Sequence, residues 1–128
     1  MIKFIINHIP VSSKNEYGFS KYTGKMFLRT DIKQYYKSAE MQLRLQAKQY
    51  NCHFPLLDDI QCSFIFYVPD YRRDFINLLS APADALQKSE IIKNDRQIKC
   101  IDGSKMIKDT DNKTEIFITL LKDNNHNQ

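Results

Sequence analysis

V-P-D-Y-R-R-D-F-I-N-L-L-S-A-P-A-D-A-L-Q-K-S-E-I-I-K-N-D-R-Q-I, residues 68–98, leads from the end of one strand through a helix towards the start of another. Upstream of it, Ile60-Gln-Cys-Ser-Phe-Ile-Phe-Tyr-Val68 alternates, with Ile60, Cys62, Phe64, Phe66 and Val68 on one face. That is the pattern of a half-buried strand, and Pro69 ends it. Asp74 is placed to cap a helix whose buried side is Leu78, Leu79, Ala85 and Leu86. Pro82 predicts either a kink or a regular part that begins close to it, because an interior proline removes a hydrogen bond at about 3 kcal/mol. Glu90 to Arg96 reads as a loop, and Arg96 to Ile107 as a strand bent at Gly103.

Working towards the N-terminus, Thr30 is placed to cap a helix over about residues 31–50, with Asp31 well set against its dipole. Ile32, Tyr35, Tyr36, Ala39, Leu43, Ala47 and Tyr50 recur at helical spacing, and Lys33, Lys37, Arg44 and Lys48 make the other side basic. Residues 11–25 form a loop of Ser, Gly, Lys and Tyr. Its basic and aromatic residues suit a nucleic-acid backbone and equally suit a surface loop anchored by Tyr17, Phe19 and Tyr22. A short strand follows at Met26–Leu28, and Ile2–Ile9 is a first strand, with His8 structural or at the surface. Towards the C-terminus, Asp109–Asn112 reads as a hairpin turn. Lys113–Leu121 reads as a closing strand with Ile116, Ile118 and Leu120 on one face. The fold class is therefore α/β (α+β), a mixed sheet of four to five strands with two main helices. One domain over 1–122 is expected, with a polar, frayed tail at 123–128.

Composition narrows the function classes. The 128 residues are 42% apolar with a net charge of +4, a globular rather than a disordered balance. Residues 1–50 hold nine Lys/Arg against three Asp/Glu, and residues 51–128 ten against twelve. One half could attract a polyanion while the other concentrates carboxylates, although charge alone favours a solvated basic helix. No apolar run has the length of a membrane span. Cys52, Cys62 and Cys100 lack metal or disulfide spacing and read as buried, reduced thiols of a cytoplasmic protein. No Ser/His/Asp or Cys/His arrangement and no P-loop is present. Arg72 and Arg73 against Asp74 at a strand end suit chemistry on a phosphodiester, and also suit an ordinary charged loop.

The order of these pieces resembles the RusA family of Holliday-junction resolvases over nearly the whole chain. I-I-N-H-I-P-V-S-S-K-N is similar to its first strand and proline-serine-asparagine loop, and K-M-F-L-R-T-D-I-K-Q-Y-Y to the entry of its first helix. Residues 72–98 keep, without a gap, the spacing of its Arg-Asp-x-Asp-Asn, Lys, Asp-Ala-Leu and Asp-Asp landmarks. The resemblance implies Asp74 and Asp95 as catalytic and metal-binding acids, brought together in a pocket beside a cationic rim. It implies Mg²⁺ as cofactor, with Asp84 a further candidate ligand. Arg72, Arg73, Asn77 and the loop lysines Lys14, Lys21 and Lys25 would contact DNA. It further implies branched, four-way-junction DNA as substrate, and a homodimer matched to the two-fold symmetry of a junction. Ile76 stands where the family has its second catalytic aspartate, Ser80 where it has a functional lysine, and Asn94 at the first acid of the final pair. A protein of the same fold that binds branched DNA without cutting it is the alternative. A protein-interaction domain that has lost nucleic acid is a third.

Overall fold

The computed structural model describes residues 1–11, 17–19 and 22–121. Seven strands and two helices follow in the order β1 (Ile2–Ile6), β2 (Tyr17–Phe19), β3 (Met26–Leu28), α1 (Thr30–Ala47), β4 (Ile60–Val68) and α2 (Phe75–Lys88). A 3₁₀ turn (Asp95–Gln97), β5 (Ile98–Cys100), β6 (Lys105–Lys108) and β7 (Lys113–Leu120) complete it. The main sheet is mixed, in the order β1-β7-β4-β5 with β6 also paired to β4. The β2–β3 hairpin stands apart from it. This is the α+β architecture expected, and the structure adds β2 inside the expected loop.

The alternation of β4 is realised in full: Ile60, Cys62, Phe64, Phe66 and Val68 are buried. With Phe4, Ile6, Ile116 and Ile118 they form a core closed by Tyr35, Ala39 and Leu43 of α1 and Leu78, Ala85 and Leu86 of α2. Burial of each large apolar side chain contributes roughly 1.5–3 kcal/mol, so this one face supplies most of the folding energy. The opposite face of the sheet is held by a polar group. Glu115 accepts from the Tyr67 hydroxyl at 2.6 Å and pairs with Lys3 at 3.1 Å, while Lys113 sits 4.8 Å from the Tyr67 ring centroid.

The last strand in chain order, β7, lies inside the sheet, antiparallel to both β1 and β4. β1 is thereby left at an edge, and side chains of α1 and of the turn that follows it cover it. Gln46 exchanges hydrogen bonds with the Ile5 N–H (2.8 Å) and carbonyl (2.6 Å). Tyr50 does the same with Lys3, and Gln42 accepts from the Asn7 N–H. An open edge is a template for wrong pairing, and here its donors and acceptors are already satisfied. His8 is structural: its ring packs 5.6 Å from that of Tyr35, and burial lowers its pKa.

Several local expectations are corrected. Thr30 does not cap α1; Arg29 occupies that position without a side-chain cap, and its guanidinium binds Asp31 instead. The helix ends at Ala47 rather than 50. Pro82 does not interrupt α2, because its ring is buried on the same side as Leu78, Ala85 and Leu86, where packing offsets the missing hydrogen bond. The single bent strand expected over 96–107 is two strands, β5 and β6, both parallel to β4 and separated by a turn with Gly103 at φ 86°. Asp109–Asn112 is not a hairpin turn: β6 and β7 flank β4, so this segment passes over the end of β4, where the Asp109 N–H donates to the Val68 carbonyl. Leu120 is exposed, and so is Cys52. Only Cys62 is fully buried, which pushes its thiol up to about 12. The expected tail lies outside the described residues, and among those described no helix is long and apolar enough to cross a membrane.

Candidate functional site

The site is built around α2, which follows the end of β4. Asp70 accepts from the Arg72 N–H at 2.9 Å and turns the chain. Asp74 then starts the helix as its N-cap, as expected: one carboxylate oxygen accepts from the Ile76 N–H at 3.1 Å and the other from the Asn77 amide at 3.3 Å. Arg73 donates to the Pro10 carbonyl at 3.0 Å, tying this turn to the end of the N-terminal segment. Arg72 projects, with its side chain 91% exposed and only a 3.9 Å contact to Asp70.

The far end of α2 positions Asp95. Glu90 takes a left-handed φ of 63°, and the Ile91 N–H returns to the Leu86 carbonyl, a helix ending that glycine usually provides. The chain then enters a reciprocal cap. Asn94 accepts from the Arg96 N–H, and the Gln97 side chain accepts from the Asn94 N–H while donating to the Leu56 and Asp58 carbonyls. Asn94 thus has a structural task at the position where an acid was expected. The Asp95 N–H is held by Gln87 at 2.9 Å. Its carboxylate is exposed and has no hydrogen-bond or ion-pair partner among the described residues.

Two hollows open on either side of α2. A shallow cleft of about 370 Å³ is lined by Ile76, Leu79, Ser80 and Ala83 of the helix with Asp95, Ile98, Ile101 and Phe64. A smaller pocket of about 120 Å³ lies towards α1, where Asn77, Ser80 and Asp84 meet Tyr35 and Tyr36. Residues 76, 79, 80 and 83 and residues 77, 80, 81 and 84 are each a helical stripe, and Ser80 borders both. Asp84 accepts from the Tyr36 hydroxyl at 3.2 Å. The Tyr35 hydroxyl is buried with no hydrogen-bond partner among the described residues.

The sequence-predicted residues therefore divide. Asp95 and the two departing positions, Ile76 and Ser80, share the cleft. Asp74 caps the helix two residues before Ile76 and is not among the residues lining that cleft. Asp84 and Asn77 belong to the other hollow. Lys25 is exposed, and Lys14 and Lys21 lie outside the described residues. Sequence reasoning missed the apolar wall made by Leu79, Ala83, Ile98 and Ile101; the spacing of 76, 79, 80 and 83 was the available signal.

This arrangement bears directly on a divalent ion. Mg²⁺ needs oxygen ligands gathered at close range. Among the described residues no group of three or more acids, histidines or cysteines gathers to hold a metal. Asp74, Asp84 and Asp95 accordingly do not form one three-acid centre. Ile76 is 75% exposed and adds an apolar surface to the cleft where a ligand oxygen would serve. Asp95 would hold Mg²⁺ only with water and a substrate phosphate supplying most of the ligands, as that ion commonly allows. What the cleft offers is a free carboxylate, an apolar wall and an arginine nearby in the chain.

The family model described as Endodeoxyribonuclease RusA matches residues 8–119, which takes in the whole of α2, both hollows and the 3₁₀ turn. No curated protein matches the chain.

Proposed function

The chain belongs to the RusA family of endodeoxyribonucleases, Holliday-junction-resolvase-like nucleases that act on branched DNA, and from that premise we propose a branched-DNA-binding homodimer whose metal-dependent nicking is strongly impaired. The observation that carries this reading is Ile76, an exposed isoleucine beside Asp95 and Ser80 in the cleft. Phosphodiester hydrolysis needs charge stabilisation on the phosphate oxygens and an activated water, which closely held metal ions supply. An isoleucine supplies neither. Arg72, Lys25 and the loop lysines Lys14 and Lys21 would meet phosphates, and a four-way junction, being roughly two-fold symmetric, would be met by a two-fold pair of chains.

The test measures gel-shift affinity and Mg²⁺-dependent nicking of a synthetic four-way junction against a linear duplex of the same sequence. The chain is expected to prefer the junction and to nick it feebly. Ile76→Asp combined with Ser80→Lys is expected to raise nicking by on the order of a hundredfold, as restoring a few kcal/mol of charge stabilisation would. The Mg²⁺-dependent nuclease reading is favoured by one specific observation, the unpartnered carboxylate of Asp95 on the cleft wall. Efficient nicking by the unmodified chain, abolished by Asp74→Asn, would establish that reading and remove the impaired one. Sedimentation of the free protein tests the dimer.

A further inference from the structure

The side of α1 turned away from the core carries Lys33, Lys37, Arg44 and Lys48, all exposed. At about 100° per residue these four fall within about 60° of one another around the helix axis, and at about 1.5 Å per residue they span about 22 Å. Lys88, the last residue of α2, joins them: all five cations line one open groove of about 540 Å³. The two helices are fastened there, because Arg44 donates to the Lys88 carbonyl at 3.1 Å. Lys88 itself sits 5.3 Å from the Tyr36 ring centroid. Glu40 is the one acid lining the groove, and Arg44 lies 3.6 Å from it. Met41 and Leu45, 56% and 57% exposed, flank the cations along one side of the groove.

Part of this stripe works against the helix, although the Glu40–Arg44 pair and the cations of the last turn favour it. Lys33 with Lys37, and Arg44 with Lys48, are like charges four residues apart, a spacing that works against helix formation. A linear polyanion would relieve that repulsion. One strand of duplex DNA presents a phosphate about every 3.4 Å of axis but winds around that axis, so its phosphates lie about 6–7 Å apart along the strand and about 22 Å of helix meets about three or four of them. The groove shares no lining residue with the Asp95 cleft.

We propose that the α1 groove seats the phosphate backbone of a double-stranded arm of branched DNA, as a second contact separate from the cleft; this rests on the branched-DNA reading above. Lys88 and Arg44 would hold the backbone where the two helices meet, and Lys33, Lys37 and Lys48 would track it along α1. The contact is to phosphate alone, so it adds affinity and orientation of the arm without sequence preference.

The experiment compares the full chain with a triple variant, Lys33→Gln, Lys37→Gln and Lys48→Gln. These positions are exposed, glutamine is as good a helix former as lysine, and the bond from Arg44 is left intact. Binding of a fluorescent four-way junction is measured across a series of salt concentrations, with thermal melting as the control for folding. The expected result is a slope of log affinity against log salt shallower by about 2.7, and an affinity lower by roughly a hundredfold at about 0.1 M salt, with no loss of melting temperature. A variant that keeps the slope of a wild type that does bind junctions would overturn the groove and leave the branched-DNA reading standing. A wild type that fails to bind junctions at low salt would remove both. Loss of polyglutamate binding in a variant with unchanged junction binding would give the groove to an acidic protein segment and also overturn the proposal.

Discussion

β4 and α2 are joined by six residues, yet they use their side chains in opposite ways. Both faces of β4 are committed to structure: its inward residues are the core, and outward Tyr67 is bonded to Glu115. α2 commits one side only. Leu78, Pro82, Ala85 and Leu86 are buried, and the remaining stripes line two hollows and an open groove. The difference teaches where variation can be tolerated. A change in β4 is expected to lower stability, whereas a change on the open stripes of α2 is expected to leave stability nearly unchanged.

That contrast can be broken by measurement. Phe66→Ala should have the largest effect, a loss of about 3–5 kcal/mol in denaturant unfolding, because it empties a fully buried ring site. Tyr67→Phe removes the outward bond and should cost about 1.5 kcal/mol at neutral pH. It should also alter the acid limb. Burial alone would raise the Glu115 carboxyl, but hydrogen bonds from Tyr67 and Lys3 and the charges of Lys3 and Lys113 outweigh it and hold the group below its ordinary value. A carboxyl lowered by folding stabilises above its unfolded pKa and loses that contribution as pH falls through the folded one. The wild type should therefore lose stability on acidification below the ordinary glutamate value, and Tyr67→Phe should show a flatter fall.

On α2 the expected changes are smaller. Asp74→Ala should cost about 1 kcal/mol through the lost cap, while Asp74→Asn, which can still cap, should be nearly neutral. Ile76→Asp with Ser80→Lys should change stability least, within about 0.5 kcal/mol, since both side chains are exposed. A loss of several kcal/mol there, or none at Phe66, would erase the distinction between the two elements.

The same distinction explains what could be read from the sequence. The alternation of β4, the apolar stripe of α1 and the cap at Asp74 are local signals, and each recurs in the fold. The split of β5 from β6 on one side of β4 depends on hydrogen bonds to a distant partner, and nothing in Arg96–Ile107 alone distinguishes it from a bent strand. The covering of β1 by Gln42, Gln46 and Tyr50 is equally a property of two elements. At the site, Asn77 and Asp84 are seven residues apart, about two helical turns, and the helix carries both into one pocket, as that spacing allows. Spacing could not say that Asp95 would face the adjacent stripe. One residue is about 100° of rotation, enough to send Asp84 and Ala83 into different hollows.

The placement of β7 between β1 and β4 also bears on how the protein is made. Translation delivers β1 and β4 long before residue 113, yet neither can complete its pairing until β7 emerges. A nascent chain at that stage carries two unzipped strand margins, a form suited to chaperone capture and prone to clumping. Truncation ahead of residue 113 would not trim a border of the sheet; it would take out the strand that joins its two halves.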